Sequence, residues 1–302
     1  MSHDQLFKDL LRAFFRDFLV LFLPRIAEGI DPDSITFLDP QTFTDVPEGQ
    51  LRLADLVARV RARGGIPELV QIHTEVQSQP DADLGYRVWE YNALLRLRNR
   101  QPIVSVVLLP FTRTGAVRRV RYTETLFGEE YIGLEYWQIG LRDLAAEEYV
   151  VADSLLGTAL AALMRPGPEG RADLKIAIIR RLRDSDVDEA RTLLLVNLVE
   201  TYLTLDEAEE AVLRARLQEE GVDDVEATEL TWADRLLQRG REQGALNVKR
   251  EVVVRQASAR FGAVPADLDE RLAGADDATL DQLLARVVQA ASLDELMGDL
   301  SE

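Results

Sequence analysis

The chain has 302 residues, 47% of them hydrophobic and 29% charged, which is enough for a real core and for two domains. It contains no cysteine, so disulfides, thiolate zinc sites and cysteine nucleophiles are excluded. A formal net charge of −18 argues against phosphate binding over the whole surface, yet the charge is uneven: −5 over residues 1–165 and −13 over the remainder. No apolar run reaches about 18 residues, and the N-terminus lacks a basic-then-apolar order. Neither a membrane span nor a signal peptide is therefore expected, and a cytoplasmic setting is.

In chain order, residues 4–23 predict one helix, with Asp4 as its N-cap, an apolar stripe through Leu6, Leu10, Phe14, Phe18, Leu21 and Phe22, and Pro24 as its stop. Residues 35–44 predict a short strand broken at Pro40. Arg52–Arg63 and Glu68–Gln77 predict the two strands of a hairpin turned at Gly64-Gly65. Ala82–Arg98 predicts a helix with Leu84, Val88, Tyr91, Leu94 and Leu95 on its apolar side, and the nearly continuous apolar run Pro102–Pro110 predicts a strand covered on both faces. This order of helix, three strands, helix and buried strand is an α/β layer.

Arg113–Arg121 reads as a glycine-containing basic loop and Gly133–Ile139 as a further strand. Helices are then expected over 154–164, 172–183, 187–203 and 206–218, with Asp184 or Ser185 and Asp206 as caps. Thr231–Arg260 reads as one long helix whose Gly240 and Gly244 suit a hinge, a loop or a close helix–helix contact. Short helices over 265–300 make a small terminal module.

The stretch V-Q-I-H-T-E-V-Q-S-Q-P (70–80) alternates strictly. Val70, Ile72, Thr74 and Val76 take one face, and Gln71, His73, Glu75 and Gln77 the other. Period-2 geometry puts Glu75 and Gln77 about 7 Å apart on that face, and Asp55 on the neighbouring strand can converge on them. Two carboxylates with a carbonyl and waters suit Mg²⁺. Asp–Glu pairs are also common on hairpins that bind nothing.

The order of elements with D…E-x-Q resembles the core of the PD-(D/E)XK phosphodiesterases. More closely, H-D-Q-L-F-K-D-L-L (3–11), F-T-D (43–45), A-D-L-V-A-R-V-R (54–61), I-H-T-E-V-Q-S-Q (72–79) and R-V-W-E-Y (87–91) resemble the Rpn family of recombination-promoting nucleases, a group also described as transposase-like. The resemblance covers residues 3–140. It implies a PD-(D/E)XK-like mixed sheet flanked by helices, followed by a mostly α-helical C-terminal half. It further implies Asp55 and Glu75 as ligands of Mg²⁺, with Mn²⁺ as substitute, and catalysis by Asp55, Glu75 and Gln77. Gln77 stands where the superfamily has lysine; an amide can orient water but not take its proton. The string R-Q-A-S-A-R-F-G-A-V-P-A-D-L-D-E-R-L (255–272) resembles a small C-terminal domain that follows such nucleases in bacterial proteins. The expected divisions are 1–150, 151–228, 229–251 and 252–302: nuclease-like domain, helical extension, helical linker and small helical domain.

Other residues admit two readings. His73 and Lys8 stand beside the site, or are an ordinary packed histidine and a helix-end lysine. Arg87 and Tyr91 face the scissile phosphate, or belong to a plain amphipathic helix. Arg96, Arg98 and Arg100, with Arg113, Arg118, Arg119 and Arg121, form a sequence-independent DNA-contact patch or a solvated face. The expected activity is Mg²⁺-dependent DNA endonucleolysis, with a catalytically silent binding or assembly module as the alternative. DNA is the expected partner, a homodimer is a candidate assembly, and no membrane is involved.

Overall fold

The computed structural model describes residues 3–38, 56–63, 69–76, 81–219, 230–265, 267–287 and 290–298. They form two compact units, Met1–Thr231 and Trp232–Glu302. The first is mixed α/β and the second helical, so the chain is an α/β protein with a helical C-terminal half.

The first unit opens with α1 (His3–Ala13), α2 (Phe15–Phe22) and α3 (Pro24–Gly29). The single helix expected over 4–23 is interrupted at Phe14, whose backbone leaves the helical region at φ −124°, ψ 30°. Adjacent pairs are buried all along it: Leu10 and Leu11, Phe14 and Phe15, Phe18 and Leu19, Phe22 and Leu23. That stripe is broad, and the bend at Phe14 wraps it around the core.

Six strands follow: β1 (Ile30–Leu38), β2 (Leu56–Ala62), β3 (Leu69–Val76), β4 (Ile103–Leu109), β5 (Val117–Leu126) and β6 (Glu129–Gly140), with α4 (Leu84–Asn99) between β3 and β4. They make one sheet in the order β1-β2-β3-β4-β6-β5. The β1–β2, β2–β3 and β5–β6 pairs are antiparallel, and β3–β4 and β4–β6 are parallel. The first strand lies earlier than the expected 35–44. Asp31-Pro32-Asp33-Ser34, four residues of turn-forming type, sit inside β1 as an irregularity between Asp31 and Thr36. There the Asp31 side chain accepts from Asp33 N, and Ser34 Oγ donates to Asp31 O while accepting from Arg61 N. An edge strand tolerates such a proline.

The larger correction is β5. The expected basic loop 113–121 gives way, from Val117 onward, to a strand that forms a hairpin with β6. Its turn is Phe127-Gly128, both at positive φ (53° and 85°), the twist that two-residue hairpin loops require. Arginine hid the strand from a hydrophobicity reading, because Val120 and Tyr122 alone carry its apolar face.

One sheet face is covered by α4: Tyr91 and Leu95 meet Val57 and Ile103, and Val88 meets Val107, Leu109 and Tyr136. Gly85 of α4 is required here, because a Cβ would lie 2.8 Å from the Tyr122 ring. On the other face the α1/α2 layer contributes Phe15, edge-on to Phe37 of β1 at 5.4 Å, and Arg12 above the same ring.

After β6, Asp143 clamps the β4–β5 connection by accepting from Thr114 N and Gly115 N at 2.5 and 2.7 Å. These backbone hydrogen bonds hold its carboxyl below the usual range. A depressed folded-state pKa gives stability that is present above the unfolded pKa and lost as pH falls through the folded one. Asp143→Asn should therefore flatten the acid limb of the stability–pH profile, read from urea midpoints between pH 7 and pH 3, leaving a smaller difference from wild type at the acid end.

The unit continues through α5 (Ala146–Val150), α6 (Leu155–Leu160), α7 (Gly170–Arg183), α8 (Glu189–Tyr202) and α9 (Glu207–Glu219). Ser154 caps α6 and Asp188, rather than Asp184 or Ser185, caps α8, accepting from Arg191 N. Asp206 and Glu209 exchange backbone–side-chain bonds in a capping box at α9. Helix α8 packs on α1, with Tyr202 5.6 Å from Phe7 and 5.3 Å from Phe111.

Helix α10 (Leu230–Phe261), almost all of it in the second unit, runs on without a break through both glycines, which replaces the loop reading. Among the described residues, nothing beyond the helix's own backbone comes within 4 Å of where a Cβ of Gly244 would stand. Val253 and Ala257 of α10 build a core with Leu268, Leu272, Leu280, Leu283 and Leu296 from α11 (Leu268–Arg271), α12 (Asp277–Arg286), α13 (Leu293–Met297) and the turn after α11. Among the described residues no helix is long and apolar enough to cross a membrane.

Candidate active site

Residues 70–76 of the alternating stretch lie in β3, an inner strand with β2 on one side and β4 on the other. Its antiparallel register with β2 pairs Leu56 with Thr74 and Val57 with His73. Its parallel register with β4 pairs His73 with Ser105 and Glu75 with Val107. Leu56 follows Asp55 in the chain and Thr74 precedes Glu75, so the last described rung of the β2–β3 ladder joins the chain neighbours of the two carboxylates. Asp55 and Gln77 themselves lie outside the described residues, as do the expected turn at Gly64-Gly65 and the strand break at Pro40. Among the described residues no three His, Asp or Glu gather as a metal-holding group.

Helix α4 covers the face that carries Val57 and Val107, the rung partners of His73 and Glu75. Its entry is fixed by Asp81, which accepts from Asp83 N at 2.8 Å and pairs with Arg87 Nε at 3.1 Å. Arg87 thus stands at the start of α4, half-buried and charge-matched. Tyr91, one turn on, is 9% exposed and packs among Val57, Leu95 and Ile103, the pattern of a core residue. Lys8 sits half-buried on α1, in the layer on the opposite face from Arg87, and the structure does not bring those two together.

The sequence reading missed a buried polar knot under α4. Asn92 and Ser105 are 3% and 2% exposed; Asn92 Nδ2 donates to Ser105 Oγ at 3.0 Å and to Ile103 O at 3.4 Å, and its Oδ1 accepts from Arg96 Nε at 2.9 Å. Ser105 shares a rung with His73, so the knot fixes α4 against the sheet beside the motif. Asn92 inside an apolar helix face was the available signal. Asn92→Ala leaves these groups unpaired and should lower stability by about 1–3 kcal/mol in urea unfolding.

The basic patch divides. Arg96, Arg98 and Arg100 end α4 on an exposed surface, with Arg100 as left-handed C-cap at φ 53°. On the hairpin, Arg119 pairs with Glu135 at 3.2 Å and lies over the Trp137 ring at 5.3 Å, while Arg121 pairs with Glu130 and, at 3.7 Å, with Glu135. Their charge is matched across the strands. Arg113 and Arg118 are exposed. Between α4 and β5, Tyr86, Trp89 and Tyr122 cluster with ring centroids 5.6–6.5 Å apart. Tyr122 donates its hydroxyl to Glu124 at 2.6 Å, which, with burial, pushes its pKa up to about 12.

No family model, curated protein or solved structure matches the chain.

Proposed function

We propose that the first unit is a Mg²⁺-dependent DNA endonuclease of the PD-(D/E)XK kind, of the type the Rpn-like strings imply. The observation that carries the reading is topological. A helical layer precedes an antiparallel β1–β2–β3 set, α4 follows, and β4 returns parallel to β3. The β2–β3 register pairs the chain neighbours of Asp55 and Glu75 on one rung. Such a pair of carboxylates, in a chain without thiolates, fits a hard cation that prefers oxygen. Bound there, the cation would stabilise charge developing on the phosphodiester. Asp55 and Glu75 would hold it, Gln77 would orient the attacking water by hydrogen bonding, and His73 stands two residues before Glu75 on β3. Arg96, Arg98 and Arg100 supply backbone phosphate contacts without reading sequence.

Purified protein with Mg²⁺ or Mn²⁺ should nick plasmid or cut single-stranded DNA, and the cleavage should stop with chelator. DNA left intact under both metals overturns the reading.

A second reading, a catalytically silent binding or assembly module, draws on the ion pairs that occupy Arg119 and Arg121 and on Gln77 in the lysine position. Calorimetric titration with Mg²⁺ separates the two, because a silent copy has no need of metal at Asp55 and Glu75.

A further inference from the structure

The two edges of the sheet are built differently. The edge at β1 carries Pro32 and an irregularity between Asp31 and Thr36, devices that discourage further pairing. The edge at β5 carries no proline, and its register shift comes only after Glu124, near the hairpin turn. It runs in regular register from Val117 to Glu124, with Arg118, Arg119, Arg121 and Thr123 exposed, and no other described strand pairs with its outer side. A long edge of this kind is a template for another strand.

The sequence of β5 specifies which strand. In an antiparallel pair, directly opposed residues share a face, so two identical strands related by a two-fold axis must pair through a residue that opposes itself. Centred on Arg121, the face turned toward α4 reads Arg118, Val120, Tyr122, Glu124, a palindrome in which cation meets carboxylate and apolar meets apolar. Arg118 opposes Glu124 of the second copy, Val120 opposes Tyr122, and each pair occurs twice. Moving the centre to Val120 sets Arg119 against Arg121, and moving it to Tyr122 sets Val120 against Glu124. On the opposite face Arg121 would meet itself, but each copy already pairs that guanidinium with its own Glu130 and Glu135.

A second feature lies on the same axis. Tyr122, one residue from the centre, packs with Trp89 and with Tyr86, which is 42% exposed. An aromatic cluster at the middle of an edge that no described strand pairs is surface that a second copy would cover.

We propose that the chain forms a two-fold dimer through β5–β5 pairing centred on Arg121, making the two sheets one continuous sheet of twelve strands. The assembly needs neither metal nor DNA, so its test is independent of the nuclease reading.

Sedimentation velocity should give twice the chain mass of 33.9 kDa. Arg118→Glu and Glu124→Arg, each of which sets like charges opposite one another, should each halve that mass, and the double variant should restore it. The absence of native cysteine permits a positional check in the otherwise unchanged chain. Arg121→Cys should form an intermolecular disulfide under mild oxidation, because self-opposed Cα atoms lie about 4.5–5.5 Å apart. Thr123→Cys should not, because its two copies are displaced by about 14 Å along the strands. A monomeric wild type overturns the proposal. So do single charge reversals that leave the dimer intact, a double variant that stays monomeric, or cross-linking at Thr123 as ready as at Arg121.

Discussion

Glu75→Ala should abolish metal-dependent DNA cleavage while leaving the circular dichroism spectrum unchanged. The expected loss is large because one carboxylate of a two-carboxylate site is removed. A divalent cation contributes several kcal/mol to stabilising charge on a reacting phosphodiester, and each 1.36 kcal/mol is tenfold in rate, so a fall of about 10²–10³ or more follows. Single-turnover nicking of supercoiled plasmid measures it. A variant that cuts as fast as wild type removes Glu75 from the mechanism and the nuclease reading with it. Glu75→Gln should behave like Glu75→Ala, since an amide keeps the shape and loses the charge.

Phe7→Ala should have the largest effect on stability. The Phe7 ring is fully buried and meets Tyr202 of α8, so it ties the N-terminal helix to the helices that follow the sheet. Truncating a buried phenylalanine costs about 3–5 kcal/mol, a large part of the roughly 5–15 kcal/mol by which domains are stable. The unfolding midpoint should fall by roughly 10 °C. Trp89 and Trp137 belong to this unit, so their fluorescence should report that shift. Unfolding of α8 at the wild-type temperature in the variant would show that the helices after the sheet do not depend on α1.

The elements that write themselves in apolar periodicity were legible: β4 as a buried run, α4 as an amphipathic helix, and β2 and β3 as alternating strands. What escaped was structure whose signal is polar. Strand β5 was hidden because Arg118, Arg119 and Arg121 outweigh Val120 and Tyr122 in any hydrophobicity count. The start of β1 was hidden because Pro32 within Asp31–Ser34 has the composition of a turn and becomes a strand only through the bonds of Asp31 and Ser34 to each other and to Arg61. At the site, alternation gave a strand hairpinned with the one that holds Asp55, a partner the pairing of Leu56 with Thr74 matches, whereas its inner place in the sheet came only with the strand order. The arginine patch could not be weighed from sequence, because Glu130 and Glu135 reach Arg119 and Arg121 only once β5 and β6 are side by side. Tyr91 already stood on the expected apolar side of α4, and its packing among Val57, Leu95 and Ile103 follows that stripe.

The turn at Phe127-Gly128 also sets an order of events. A hairpin joined by two residues closes on a timescale of about 1–10 μs, as a local contact. Pairing β3 with β4 must await the crossover that contains α4, a contact between parts of the chain far apart in sequence. In a full-length chain refolding from denaturant, the β5 edge should therefore stand open to neighbouring chains before β3 meets β4. Its charges then act as a filter in time, repelling strands that arrive out of register until the rest of the fold is in place.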